Sequence, residues 1–243
     1  MAKVFIGVGH GGSDPGAVAN SLREEDLNLT TALACNEELV RHGVVTLMSR
    51  TKDETDTLKQ EIAECNAFDP DLALDIHHNA GGGDGAEVFH SVVGGTGKKL
   101  ATNVLAEIVA TGQNSRGVKT RKEADGSDWY GFIRQTKAPA VIVEVAFLDH
   151  AEDHKAVDTV EEQRAMGVAI AKGVLKTLGI AYIDPHKVTY RVELGEYSTI
   201  KEADAMLGGV YARISAVEAA LSEAHNALDE LETVLRKAII AER

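Results

Sequence analysis

The residues best able to do chemistry in this chain are His10, the acid pair Glu24 and Glu25, the adjacent His77 and His78, and Glu144 inside the apolar run VIVEVAF. Two imidazoles and a carboxylate suit zinc, and three protein ligands leave a fourth position open for water. The candidate donors are therefore His10, one of Glu24 and Glu25, and one of His77 and His78. Successive side chains of a strand point to opposite faces, so His77 and His78 are not expected to share one ion. The run GHGGSDPGA keeps the backbone around His10 small, which lets a substrate come close. Glu144 poses a different question. An ionised carboxylate among apolar neighbours loses solvation unless it is paired or protonated, so it either answers a buried base or has a task.

Positioning these residues requires elements that end near one another. KVFIGVG reads as a buried strand stopped by glycine, and residues 24–42 as a helix with Leu29, Leu33, Asn36 and Val40 at helical spacing. VVTLMS is a second strand, 54–67 a second helix, DLALDIHH a third strand, and GAEVFHSV a fourth beyond the turn AGGGDG. A helix over 96–111 and a polar loop over 112–128 follow, then strands at WYGFIR and AVIVEVAF and a helix over 158–178. This alternation predicts an α/β fold: a twisted, mostly parallel sheet of about six strands with helices on both faces. Ligands of such sheets bind beyond the carboxyl ends of the strands. His10, His77 and Glu144 all fall at strand ends of that kind.

The character changes near residue 180. GIAYIDPHKV has the polar and proline content of a linker, TYRVELGEYS is a candidate strand, and residues 199–241 form a long acidic helical pattern. Its a and d positions run apolar from Leu207 to Ala238, which is a coiled-coil signature and predicts a homo-oligomer assembled through residues 200–241. Two regions follow: 1–179, and a small C-terminal strand with a coiled-coil-like helix over 180–243.

The net charge of −13 disfavours nonspecific contact with nucleic acid or anionic membranes. No apolar run approaches the ~20 residues of a membrane span. Cys35 and Cys65 lie in separate helical segments and read as buried free thiols rather than a disulfide. The start, MAKVFIGVGHGG, lacks a cleavage-site pattern, so the chain is expected to be made in a cytoplasm without a signal peptide.

The ordered motifs GHGGSDPGA, REEDLNL, Ser49-Arg50 with Asp53, DIHHNA, GAEVFH and PAVIVEVAFLDH resemble the zinc-dependent N-acetylmuramoyl-L-alanine amidases. These are peptidoglycan hydrolases that include autolysins and phage endolysins, and the resemblance spans about residues 3–180. It implies one zinc ion per chain on His10, Glu24 and His77, with His78 in a variable place and Asn79 matching the family's asparagine. Glu144 matches the catalytic glutamate, which accepts a proton from water and passes it to the departing amine. Asp75 stands where serine is usual and Ala146 where glycine is usual; Asp75 is either a partner of the His77 imidazole or an inconsequential edge acid. The implied reaction is cleavage between N-acetylmuramic acid and the L-alanine of the stem peptide, on the cell wall, in the manner of an endolysin or of a secreted autolysin. A zinc peptidase cutting inside the stem peptide and a non-catalytic wall-binding module are the competing readings. YRVELGEYSTIKEADAML is similar to the opening of a sporulation-related repeat that binds glycan, so residues 180–243 are read as either oligomerising or wall-binding.

Overall fold

A computed structural model describes residues 1–184 of the 243. The expected strand and heptad helix of residues 189–241, and the assembly assigned to 200–241, lie outside the described residues. The elements are β1 (Lys3–Val8), β2 (Val18–Ala19), β3 (Leu22–Arg23), α1 (Glu24–Arg41), β4 (Val45–Met48), α2 (Leu58–Phe68), β5 (Leu72–Asn79), β6 (Ala86–His90), α3 (Gly95–Val109), β7 (Ser115–Lys119), α4 (Gly131–Gln135), β8 (Ala140–Phe147), α5 (Ala151–Lys155) and α6 (Val160–Leu178). Six strands form one sheet in the order β4-β1-β5-β8-β6-β7, and β2 and β3 form a separate two-stranded ribbon. Every neighbouring pair in the large sheet is parallel except β6 with β8.

The two faces of the sheet are covered unequally. Val4, Ile6, Leu74, Ile76, Val141 and Val143 pack with α1, α3 and α6 into the larger apolar cluster. Phe5, Ala73, Ile142 and Phe89 face the other way and form a smaller cluster with Ile62, Cys65, Phe132 and Ile133 from α2 and α4. The strict alternation of strand side chains sorts neighbouring residues onto these two layers. Helices α2 and α6 each start on a threonine capping box, Thr57 with Gln60 and Thr159 with Glu162, which satisfies amides left over at a helix start. Helix α6 can approach its neighbours closely because a Cβ on Gly167 would lie 2.2 Å from the Thr31 carbonyl oxygen of α1, and one on Gly173 would lie 2.4 Å from the Val104 Cα of α3.

Several local expectations differ from the structure. WYGFIR holds a short helix, α4, not a strand; its aromatic and β-branched residues are there to bury Phe132 and Ile133 side by side under the sheet. The sixth strand instead lies in the polar stretch, at SRGVK, where it forms the sheet edge; charged residues are usual on an edge strand. In α1 the buried face is Leu27, Thr31, Ala34, Cys35 and Leu39 rather than the Leu29–Val40 stripe, since the close α6 contact demands small residues. The segment read as a linker begins against α1: the Tyr182 ring stacks on His42 at 5.2 Å, and the Ile183 amide donates to His42 Nε2 at 2.9 Å. The first compact unit therefore runs through Asp184.

Cys35 and Cys65 are both free and buried, as read from the sequence. Burial and the neighbouring Glu61 push the Cys65 thiol up to about 12, and burial beside Glu38 raises Cys35 further. Thiolate is the reactive form, so iodoacetamide at pH 8 is expected to leave both cysteines unlabelled in the native chain and to label both in denaturant. Rapid native labelling of either one, read by mass spectrometry, would contradict this packing.

Candidate metal and hydrolytic centre

Three adjacent parallel strands, β1, β5 and β8, deliver their carboxyl ends side by side. His10 follows β1 after one glycine, His77 lies near the end of β5, and Glu144 stands opposite His77 in the β5–β8 register. The fourth residue, Glu24, opens α1. Its amide donates to the Ala17 carbonyl at 2.9 Å, which ties the helix start back to the loop that carries His10.

Glu24 is buried, and its Oε1 lies 3.2 Å from His10 Nε2 and 3.0 Å from His77 Nδ1. The same oxygen accepts from the His78 amide at 3.2 Å, while Oε2 accepts from the Ala17 amide at 2.8 Å. Each imidazole is held from behind by a second acid. His10 Nδ1 is 2.9 Å from Asp14 Oδ2, and His77 Nε2 is 3.1 Å from Asp75 Oδ2. The two rings meet edge to face with centroids 5.0 Å apart. One nitrogen of each ring thus turns toward Glu24 and the other toward an aspartate, the arrangement by which outer carboxylates orient metal-binding histidines. Ligand atoms of His10, Glu24 and His77 all lie within 4.8 Å of one another, and this donor set fits zinc.

Electrostatics follow the contacts. Burial opposes ionisation of Glu24, but its contacts with His10 and His77 prevail and hold the carboxyl well below its usual range. The Glu24 contact chiefly raises the His10 pKa. Burial works against charge on His77, and Asp75 and Glu24 outweigh it, so its pKa is raised. Glu144 shows the reverse balance: desolvation pushes it up to about 7 against the opposing influence of His77. Its Oε2 is buried with no hydrogen-bond partner among the described residues.

His78 points away, to the helical layer, as strand alternation requires. Its Nδ1 pairs with Asn28 Oδ1 at 2.8 Å, and burial pushes its pKa down to about 4, so it is a neutral core residue. Glu25 is buried beside Arg23 and takes no part in the cluster. Asn79 donates to Glu87 Oε1 at 3.4 Å, and Ala146 is fully buried in the larger cluster.

The loop between β1 and α1 is shaped by its surroundings. His10 itself adopts φ +63°, a left-handed conformation that a non-glycine residue adopts only under constraint. A Cβ on Gly9 would lie 2.2 Å from the His77 ring, so glycine there admits the second imidazole. Ser49, Arg50 and Asp53 supply the constraint. Ser49 Oγ accepts from the Val8 amide at 3.1 Å, and Asp53 Oδ1 accepts from the Gly12 amide at 2.6 Å. The buried Arg50 guanidinium donates to the carbonyls of Val8, Gly9, Glu25 and Lys52 at 2.8–3.2 Å. Asn28 Nδ2 adds a bond to the Gly9 carbonyl at 2.9 Å. Asn28 carries no signal in the sequence that marks it for the site. Asp14 had a signal, since it stands four residues after His10 inside the same glycine loop.

Comparison with known proteins shows the family. Residues 4–176 match the family model described as N-acetylmuramoyl-L-alanine amidase. The chain is 32% identical to N-acetylmuramoyl-L-alanine amidase CwlM of Bacillus licheniformis over 85% of its length and 79% of that protein. It is 30% identical to an endolysin of Bacillus phage SPP1, over 74% of this chain and 69% of that one. Among solved structures, the catalytic domain of CwlV, an N-acetylmuramoyl-L-alanine amidase from Bacillus (Paenibacillus) polymyxa, superposes with a TM-score of 0.67 at 26% identity, covering 74% of this chain and 100% of that one.

Arg50 generates a prediction. A lysine ammonium cannot span four carbonyls, and each buried carbonyl left unpaired costs about 1–3 kcal/mol. Arg50→Lys is expected to lower stability to urea by about 2–4 kcal/mol, whereas Arg164→Lys, at an exposed pair with Glu37, should change it by under about 0.5 kcal/mol. Equal, small effects of the two would show that Arg50 does not brace the loop. Fold, strand-end geometry and sequence together place the chain in the N-acetylmuramoyl-L-alanine amidase family.

Proposed function

We propose that this chain hydrolyses the amide between N-acetylmuramic acid and the L-alanine of the stem peptide in bacterial peptidoglycan, with residues 1–179 as its catalytic region and one zinc ion as cofactor. The observation that carries the proposal is the convergence of His10, Glu24 and His77 beside Glu144 at neighbouring strand ends of a family member. His10 Nε2, Glu24 Oε1 and His77 Nδ1 are the atoms that would hold the ion. When bound, zinc supplies Lewis acidity that polarises a carbonyl and makes water a better nucleophile near neutral pH.

The chain's own residues do the rest. Asp14 and Asp75 fix the two rings so that one nitrogen of each faces Glu24. Glu144 accepts the water proton and returns it to the departing amine, a task that requires a carboxyl group whose two protonation states lie close in energy near neutral pH. Burial in the apolar strand supports that balance. A pocket of about 280 Å³ beside His10 and His77, bordered by Tyr130 and Phe132, gives a substrate room to approach.

The chain acts on the cell wall, and its likeness to a phage endolysin favours release at lysis as its setting. No helix among the described residues is long and apolar enough to cross a membrane. Residues 180–243 assemble copies of the chain through the heptads of 200–241, a reading supported by the a and d pattern of the sequence.

Glu144→Gln is the decisive variant. It should keep its zinc content and melting temperature while hydrolysis of purified walls falls by about 10²–10⁴-fold. Near-normal turnover by the zinc-loaded variant would remove Glu144 from the mechanism. Mass spectrometry of the wild-type products should show free L-alanine amino termini on intact stem peptides; shortened stems would identify a peptidase instead. For the tail, light scattering should give a dimer or trimer for the full chain, and a monomer for Leu221→Glu/Leu228→Glu. A monomeric wild type at micromolar concentration would overturn the assembly.

A further inference from the structure

A second cluster of metal-type donors lies on the loops that follow β5 and β8. Asp84 belongs to the loop between β5 and β6, while His150 and Asp153 lie at and within α5, directly after β8. Their ligand atoms all lie within 4.8 Å of one another, and none of them belongs to the first cluster. The central atom is His150 Nδ1, 3.5 Å from Asp84 Oδ1 and 3.7 Å from Asp153 Oδ1.

Asp153 is the informative member. It is fully buried, and its Oδ2 is spent on two amides, Gly85 at 2.8 Å and Phe147 at 2.7 Å. Its Oδ1 is buried and receives no hydrogen bond from a nitrogen or hydroxyl donor among the described residues, and His150 Nδ1 is likewise unpaired. The Asp153 carboxyl instead faces that of Asp84, whose Oδ1 accepts from Asn114 Nδ2 at 2.9 Å. A buried, unpartnered carboxylate oxygen is costly, and this one is aimed at the cluster. A hydrogen on His150 Nδ1 would not resolve the matter, because a single N–H serves one acid and Asp153 Oδ1 lies beyond hydrogen-bond distance. A cation serves all three donors at once. With metal–ligand bonds of about 2.0–2.2 Å, tetrahedral ligands sit about 3.3–3.6 Å apart, close to both separations around His150.

We propose that Asp84, His150 and Asp153 form a second site, for a first-row divalent cation of the zinc class, that clips the loop after β5 to the segment after β8. Two carboxylates with one imidazole are a mixed oxygen and nitrogen set suited to such ions. Asp84 and His150 are partly exposed, which gives the ion a route in and leaves room for water to complete its shell. The loops are already joined by polar bonds: Asp149 Oδ2 accepts from the Gly81 and Gly82 amides, each at 2.8 Å, and the Leu148 amide donates to the Asn79 carbonyl at 2.9 Å. Because β5 carries His77 and β8 carries Glu144, the clip braces the strand ends on which the first centre stands.

Untagged full-length chain, stripped with a chelator and dialysed against Zn²⁺, tests this by metal analysis. The wild type should bind one equivalent more than Asp84→Asn/His150→Gln, whatever the first centre retains. The thermal midpoint of a His10→Ala chain should still rise with Zn²⁺, and that rise should vanish when all three changes are combined. Should the double variant fail to fold, Asp84→Asn alone, a change on an exposed loop, should weaken binding of this equivalent at least about tenfold, since removing a ligand exceeds the effect of removing its outer partner. Equal stoichiometry and affinity in wild type and variant would overturn the proposal, without bearing on the hydrolytic centre.

Discussion

The buried carboxylate of Glu24 is the constraint around which the rest of this structure is arranged. A charge taken out of water must be met on every side or it destabilises the fold. Here the compensation comes from two backbone amides and two imidazoles that belong to the loop after β1 and to strand β5. Those partners must arrive together, which explains much that looks unrelated. Gly16 keeps a left-handed φ of +63° in a place where a Cβ would lie 2.5 Å from Glu24 Oε2. Arg50 turns Nε and one terminal nitrogen to carbonyls of the loop that presents His10 and of the helix that presents Glu24.

Sheet topology explains why the site lies where it does. Strands β1, β5 and β8 are parallel and adjacent, so their carboxyl ends open onto one edge and their loops converge there. The unequal helical cover then decides which residues reach it. On the face shared with α2 and α4 the sequence places Asp75, His77, Glu144 and Glu87; on the other it places Ile76, His78, Val143 and Val145. The dipeptide His77-His78 is split by this alternation into two different chemistries. One ring meets two acids and is drawn toward the charged form, while the other pairs with Asn28 in the core and is held neutral.

Legibility in the sequence followed the same division. Apolar strands bounded by glycine, such as KVFIG and AVIVEVAF, stood out because burial on both faces leaves a run that few other structures produce. So did the histidines at their ends. The edge strand SRGVK was invisible because an exposed edge favours the charged residues that a loop also favours, and WYGFIR misled because aromatic burial is compatible with either period. The buried face of α1 is hidden in the sequence for another reason. Its contact with α6 is built from Thr31, Ala34 and Cys35 against Gly167, where close approach replaces side-chain volume, so hydrophobicity pointed to the wrong stripe. Arg50 acts through hydrogen bonds to carbonyls on segments distant in sequence, which spacing alone does not encode, whereas Asp14 is reachable from its place four residues after His10.

The same face raises a question about charge that the neighbours of Glu144 answer. Glu87 on β6 stands directly opposite Glu144 in the antiparallel register, and two carboxylates so placed repel. The chain supplies cations to one member of the pair: Arg116 donates to Glu87 Oε2 at 2.7 Å, and Lys119 pairs with the same oxygen. These contacts outweigh burial and lower the Glu87 pKa, whereas Glu144, left to desolvation, is raised. Two identical side chains on adjacent strands are thereby driven in opposite directions by which of them β7 can reach. Glu87 anchors the sheet edge as a settled charge. Glu144, with the same chemistry and no such partner, is left able to exchange a proton, which is what the proposed base requires.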